Sequence, residues 1–269
     1  MTQPLLSVNA SVDYMSRPGA VRDAAFELYP GEVLGLIGES GSGKSTLALA
    51  ILRLLDWRGG RLRGSVVFRG ANLAGVPERD MRRLRGREIS LVQQNPMSSL
   101  NPALRLGAQL KEAWCVHEPF SKDDWAVRRR ELLRSVSLPE HESFARLYPR
   151  QLSIGMAQRV VIAMAILHRP ALLIADEPTS ALDVITQAEI LRLFARLNSE
   201  LGMAILFISH DLVSVASICQ RVAIMHRGEI VETGTTRQVY GSPSHAYTRR
   251  LIEALPRPPA LLDQSEVPL

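Results

Sequence analysis

The run Gly38-Glu39-Ser40-Gly41-Ser42-Gly43-Lys44-Ser45-Thr46 lies between an apolar stretch, Val33 to Ile37, and a helical pattern. Its form, Gly-x-x-x-x-Gly-Lys-Ser, suits a loop that wraps backbone N–H groups around phosphate oxygens, the glycines permitting close approach. In that pattern Lys44 neutralises phosphate charge and the Ser45 hydroxyl ligates Mg²⁺. Lys44 is one of only three lysines, beside Lys111 and Lys122, against 29 arginines, so its place in the pattern is informative. A second feature answers it: "ALLIADEP" is an apolar strand that ends in Asp176-Glu177. An aspartate there can hold Mg²⁺, and the glutamate after it can polarise a water.

These residues need strands that end together and helices that begin there. Short apolar runs alternate with helical patterns, which predicts an α/β domain with a mainly parallel sheet covered by helices. The expected strands are Val33 to Ile37, Ile89 to Val92, Leu172 to Ala175, Ile205 to Ser209 and Val222 to Met225. In "TQAEILRLFARLNSELG", Ile190, Phe194, Leu197 and Leu201 share one helical face, and Gly202 supplies a stop. Between Asn95 and Val160 strand patterns vanish; Ser121-Lys122-Asp123-Asp124 reads as a helix start before "WAVRRRELLRSV". Ser153 reads as the N-cap of a further helix, whose Met156, Val160, Ala163 and Leu167 form the buried stripe. The end, "LPRPPALLDQSEVPL", holds four prolines and is expected to be a loosely held tail.

Composition narrows the classes. At 269 residues and 46% apolar content the chain can bury a full core. Cys115 and Cys219 stand far apart without a Cys/His cluster, which indicates neither a disulfide framework nor a zinc or iron–sulfur site and favours a reducing cytoplasm. The start, MTQPLLSVNA, lacks the form of a signal peptide, and the longest apolar run, Val160 to Leu167, is too short to span a bilayer. The net charge is +5. The arginine-rich stretches Arg79 to Arg87 and Arg128 to Arg130 carry no interleaved aromatics and are expected to be solvated helix faces, with no nucleic acid as partner.

With these motifs quoted, the chain resembles the ATP-binding subunit of an ABC transporter from Leu6 to about Pro256. Gly38 to Thr46 look like the Walker A motif, Ile174 to Glu177 like the end of Walker B, and Leu152 to Arg159 like the signature motif. Gln94 looks like the Q-loop glutamine, Ser180-Ala181-Leu182-Asp183 like the D-loop, and His210 in "ISHD" like the switch histidine. Tyr14 is the candidate for the aromatic that stacks on adenine, with Phe26 its competitor. The resemblance implies an α/β fold: a P-loop NTPase (RecA-like) core at 1–94 and 161–240 with an N-terminal antiparallel β subdomain. It also implies an inserted helical lobe at 95–160 and a C-terminal subfamily segment and loose tail at 241–269. It makes Glu177 and His210 catalytic, and Ser45, Gln94 and Asp176 the Mg²⁺ ligands. ATP would rest on Tyr14, Gly38, Ser40 to Thr46 and Gln94.

Two segments, "QNPMSSLNP" and "YGSPSHAYTRRLIEALP", are similar to the oligopeptide, dipeptide and nickel import group, although Ala246 stands where that group usually has proline. A chain without the long cysteine-bearing extension of many peptide importers resembles the shorter nickel-import subunits more. The family picture implies a head-to-tail pair with a second ATP-binding subunit, expected to be a different chain. It adds two transmembrane permeases, a solute-binding protein acting indirectly, and a peripheral place on the cytoplasmic face of a bacterial inner membrane. In that pair Ser153, Ile154, Gly155 and Met156 face the partner's ATP, with Ser180 and Asp183 close by. Isoleucine at 154 replaces the usual glycine. That leaves open a second reading, an ATP-binding regulatory or structural subunit with a degenerate partner-side site.

Overall fold

Alternation of small and apolar side chains builds the first sheet of the computed structural model, which describes residues 3–119 and 121–255. Two compact units divide the chain, 1–75 with 206–269 and, separately, 76–205. In the first unit β1 (Leu6–Tyr14) buries Leu6, Val8, Ala10 and Val12 at every second position, as a strand with one covered face must. It pairs antiparallel with β2 (Arg17–Leu28), and β3 (Val33–Ile37) and α1 (Lys44–Ile51) come next in the chain. On its other side β1 pairs antiparallel with β4 (Gly60–Phe68), which is followed by β5 (Ala71–Asn72), so the sheet order is β2-β1-β4-β5. The sequence runs of this sheet are broken by Asp, Arg and Gly, and none of its strands stood out as an apolar run.

The second unit opens with α2 (Glu78–Leu84) and β6 (Ile89–Val92). Between Asn95 and Val160 the described residues form helices and no strand: α3 (Pro96–Ser99), α4 (Leu106–Cys115), α5 (Lys122–Ser135), α6 (Glu142–Ala145) and the start of α7 (Ile154–Ile166). Ser121 caps α5, its hydroxyl accepting from the Asp124 N–H. β7 (Leu172–Asp176) then pairs in parallel with β6, Val92 beside Ala175. α8 (Val184–Leu201) buries Ile190, Leu193, Phe194 and Leu197; the expected Leu201 is half-exposed, because Leu193 lies nearer the centre of the apolar arc. Gly202 stops α8 at φ 64°, a left-handed turn that glycine adopts without a Cβ clash. The first residues of β8 (Ala204–Ser209) belong to this unit, and the Ala204 N–H donates to the Ala171 carbonyl.

The rest of β8 lies in the first unit, followed by α9 (Leu212–Ile218), β9 (Arg221–His226), β10 (Glu229–Thr235), α10 (Thr236–Gly241) and α11 (Ala246–Glu253). There the sheet runs β10-β9-β3-β8, with β3 and β9 parallel and β9 and β10 antiparallel. β3 and β8 are buried at every residue, as a strand covered on both faces requires. Beyond α11, the proline-rich tail from 256 onward lies outside the described residues. No described helix is long and apolar enough to cross a membrane.

The arginine-rich stretches differ from their expectation. Arg79, Arg82 and Arg83 are solvated on α2. Arg128 and Arg129 are largely buried in the second unit: Arg128 donates to the Leu167 carbonyl and Arg129 bonds Glu142 at 2.5 Å. Both guanidinium groups tie α5 to the rest of that unit through these bonds.

Candidate functional site

In the first unit β3 delivers Gly38 beside the end of β9. A Cβ on Gly38 would lie 2.2 Å from the Met225 carbonyl oxygen and 2.7 Å from Ser42 Oγ, so only glycine fits without a backbone shift. The loop then turns through Gly41 (φ 78°) and Gly43 (φ 114°) into α1. Lys44 is only 4% exposed, and its Nζ donates to the Gly38 carbonyl at 2.7 Å and the Glu39 carbonyl at 2.9 Å. An ammonium is thus fixed beneath the loop at the N-terminus of a helix with no acidic residue in its first turn. Both the fixed charge and the helix dipole favour an anion. Ser40 and Ser45 are exposed and Thr46 half-buried, while Ser42 is buried with its hydroxyl turned toward Gly38.

Sequence reasoning did not find Arg17. Its Nη2 donates to the Gly41 carbonyl at 2.7 Å, and with Arg22 and Arg227 it lines a cavity of about 470 Å³ flanking Glu39 to Ser42. No local motif marks a lone arginine after a strand turn; only the pairing of β1 and β2 brings it back to the loop. Tyr14, at the end of β1, is half-exposed with its ring against Gly60. Phe26 is buried in β2 and offers no open face. His210 follows the fully buried β8 and is exposed. The turn is held by Ser209 Oγ, which accepts from the Asp211 N–H, while Asp211 caps α9 through the Val213 N–H.

The second unit carries the carboxylates. β6 and β7 run parallel, Val92 beside Ala175, so the residues two places further on, Gln94 and Glu177, also meet. Gln94 Nε2 donates to Glu177 Oε2 at 3.0 Å. Glu177 holds φ 48°, a left-handed conformation uncommon for a residue other than glycine and one that its surroundings must hold. The enforcement is visible in the turn after it, where the Ser180 N–H and Oγ both donate to the Glu177 carbonyl. Asp176 ends β7 half-buried. Within this unit the Gln94 amide oxygen and the Asp176 carboxylate are oxygen donors of the kind that suits Mg²⁺, and in the first unit the exposed Ser45 hydroxyl is another.

Asp183 has a structural task of its own. It caps α8, accepting from the N–H groups of Ile185 and Thr186 and from Thr186 Oγ1 at 2.7 Å. The Thr186 bonds hold its carboxyl below the ordinary aspartate range. Ser153 caps α7 as expected, its Oγ accepting from the Met156 N–H at 3.2 Å. Ile154 begins the helix 49% exposed, and Gly155 packs so tightly on α8 that a Cβ would lie 2.7 Å from Thr186 Cγ2. Met156 is half-buried, a departure from the expected stripe; Ala157, Val160, Ala163 and Leu167 carry the packing.

Comparison with known proteins gives the family. The family model described as ABC transporter matches residues 21–180. The peptidoglycan transport ATP-binding protein YejF of Agrobacterium fabrum is 46% identical over 261 residues, covering 95% of this chain; the chain spans about half of that relative, 48%. The oligopeptide transport ATP-binding protein OppD of Escherichia coli K12 is 46% identical over 238 residues, covering 88% of this chain and 70% of its own length. Among solved structures, a dimeric ATP-binding cassette in a post-hydrolysis state with ADP and Pi superposes with a TM-score of 0.74 at 27% identity, covering 86% of this chain and 99% of that one. The chain belongs to the ABC transporter family.

Proposed function

We propose that the chain is the ATP-hydrolysing subunit of a bacterial ABC importer, coupling ATP binding and hydrolysis to uptake of nickel or small peptides through partner permeases. The observation that carries this reading is the phosphate loop with Lys44 fixed beneath it and a helix N-terminus behind it. Gly38 to Thr46 hold the β- and γ-phosphates, and Tyr14 offers its half-open ring to adenine. Ser45, Gln94 and Asp176 are the residues that would hold Mg²⁺, which would supply neutralising charge at the phosphates. Glu177 orients and deprotonates the attacking water, and Gln94 holds that carboxylate in place. His210, displayed at the end of β8, donates a hydrogen bond to the γ-phosphate.

The partners are a second ATP-binding subunit, taken to be a different chain, two transmembrane permeases and, indirectly, a solute-binding protein. The place is peripheral, on the cytoplasmic face of the inner membrane. The cassette bound to ADP and Pi is a dimer, and the relatives carry the names of oligopeptide and peptidoglycan transport, which supports a peptide-like cargo over nickel. The exposed Ile154 favours a second reading, in which the partner-side site is degenerate and this chain contributes there as a structural or regulatory subunit.

The test is ATP hydrolysis by the reconstituted complex. Lys44→Ala should lose nucleotide affinity and Glu177→Gln should bind without turning over. A tagged subunit from membranes should bring two hydrophobic permeases with it, and its recovery alone would contradict the transport role.

A further inference from the structure

The segment after the last strand reaches the phosphate loop by a contact that none of the motifs contains. Glu232 of β10 accepts from the Ser244 N–H (2.7 Å), Ser244 Oγ (2.9 Å) and the His245 N–H (3.1 Å). His245 in turn caps α11, its Nδ1 accepting from the Tyr247 N–H. The first turn of α11 is thereby fixed, and Tyr247, 4% exposed, lays its ring on His226 with centroids 3.8 Å apart and planes at 30°. His226 ends β9, the strand whose Ile224 pairs with Ile37 and whose Met225 carbonyl Gly38 must clear. The turn after it binds the loop directly, the Gly228 N–H donating to the Ser42 carbonyl at 2.9 Å. The end of β9 is therefore the floor of the loop, and Tyr247 clamps that floor.

The tyrosine hydroxyl points the same way. It is buried, and the group that acts on it is in the phosphate loop. Its neighbour is Glu39, the second residue of the loop. Burial pushes the phenol pKa up, the Glu39 carboxylate adds to the rise, and the Glu39 backbone pulls against it.

We propose that Tyr247 is a positioning residue for the phosphate loop: its ring on His226 clamps the end of β9 and so holds the Glu39–Ser42 half in its receptive shape, and the C-terminal segment thereby sets nucleotide affinity. This rests on the nucleotide reading above. Affinity falls in proportion to the fraction of loops held in the competent shape, whereas a loop already closed on nucleotide reacts as before.

The experiment measures ATP hydrolysis against ATP concentration in the assembled complex, with ADP binding to the isolated subunit alongside. If about one loop in ten remains competent, Tyr247→Ala raises KM about tenfold while kcat stays within about twofold. Tyr247→Phe keeps the ring and restores most of the affinity. His226→Ala leaves α11 intact and gives the same KM shift, and the double variant falls short of the sum because both changes break one contact. His226→Ala also serves if Tyr247→Ala does not fold. Unchanged KM in both variants, or a fall in kcat at constant KM, overturns the proposal. Lys44→Ala, measured in parallel, separates the two readings. If it binds nucleotide normally the phosphate site itself is wrong; if it alone loses affinity, only the role of Tyr247 fails.

Discussion

Gln94 donates from Nε2 to Glu177 Oε2 at 3.0 Å, and the two residues meet because β6 and β7 end in parallel register with Val92 beside Ala175. The bond aims a carboxylate whose own backbone, at φ 48°, is held in place by the Ser180 turn. Glu177→Gln preserves the shape and removes the base, so nucleotide binding should persist while turnover falls about 10²- to 10⁴-fold. Gln94→Ala should leave the base present but unaimed and cost less. Single-turnover hydrolysis with a parallel nucleotide-binding assay checks both; turnover in Glu177→Gln equal to wild type would refute the assignment.

The strands that deliver these residues were legible in the sequence because each is a short, unbroken apolar run, and all five lie within a residue of where that pattern puts them at either end. The caps were legible for a related reason: Ser121 and Ser153 act through side chains three residues from their targets. β1, β2 and β4 were not, since a sheet with one open face mixes Ala, Gly and charge into its apolar alternation. Arg17 and Tyr247 were invisible for a stronger reason. Each meets the phosphate loop across a long stretch of chain, and no local spacing encodes such a contact. The buried Arg128 and Arg129 show the reverse error, where a charge run read as a solvated face turns inward to bond Leu167 and Glu142.

Gly155 and Thr186 join the start of α7 to the cap of α8. Thr186 cannot simply rotate away from a new Cβ, because its Oγ1 is bonded to Asp183 at 2.7 Å. Gly155→Ala should therefore destabilise the second unit by about 1–3 kcal/mol, despite the better helix propensity of alanine. Thr186→Ser removes the obstructing methyl and keeps the hydroxyl, so the double variant should recover most of the loss. Urea unfolding of the four proteins gives the coupling directly, and strict additivity would show that the two side chains do not compete for this space.

Ile154 stands 49% exposed between the Ser153 cap and Gly155, so its bulk lies on the surface proposed to face the partner's nucleotide. Replacing it by glycine removes no core contact and costs about 1 kcal/mol of helix propensity at most. Ile154→Gly should raise hydrolysis at the partner-side site and leave this chain's own loop unaffected. Placing Glu→Gln changes in one subunit of the assembled complex at a time isolates each site. No gain at the partner-side site would mean the isoleucine is merely tolerated.

His168 gives the second unit a pH dependence of known sign. Its ring stacks on Trp114 with centroids 5.3 Å apart, meets His117 edge-on at 5.0 Å, and donates through Nε2–H to the Ala113 carbonyl. Burial is the largest cause holding its pKa below the ordinary 6.5. The Ala113 carbonyl and Glu118 pull it up, and His117 and Arg128 push it further down. The unfolded chain therefore takes up a proton first as pH falls through about 6.5, and stability is lost from there down to the native value. Above 6.5 the neutral ring is present in both states and the site contributes no slope. His168→Phe keeps the stack on Trp114 and removes the proton. Its urea midpoint should fall less than that of wild type between about pH 7.5 and about pH 5.5. An equal fall in both proteins would place the titrating group elsewhere.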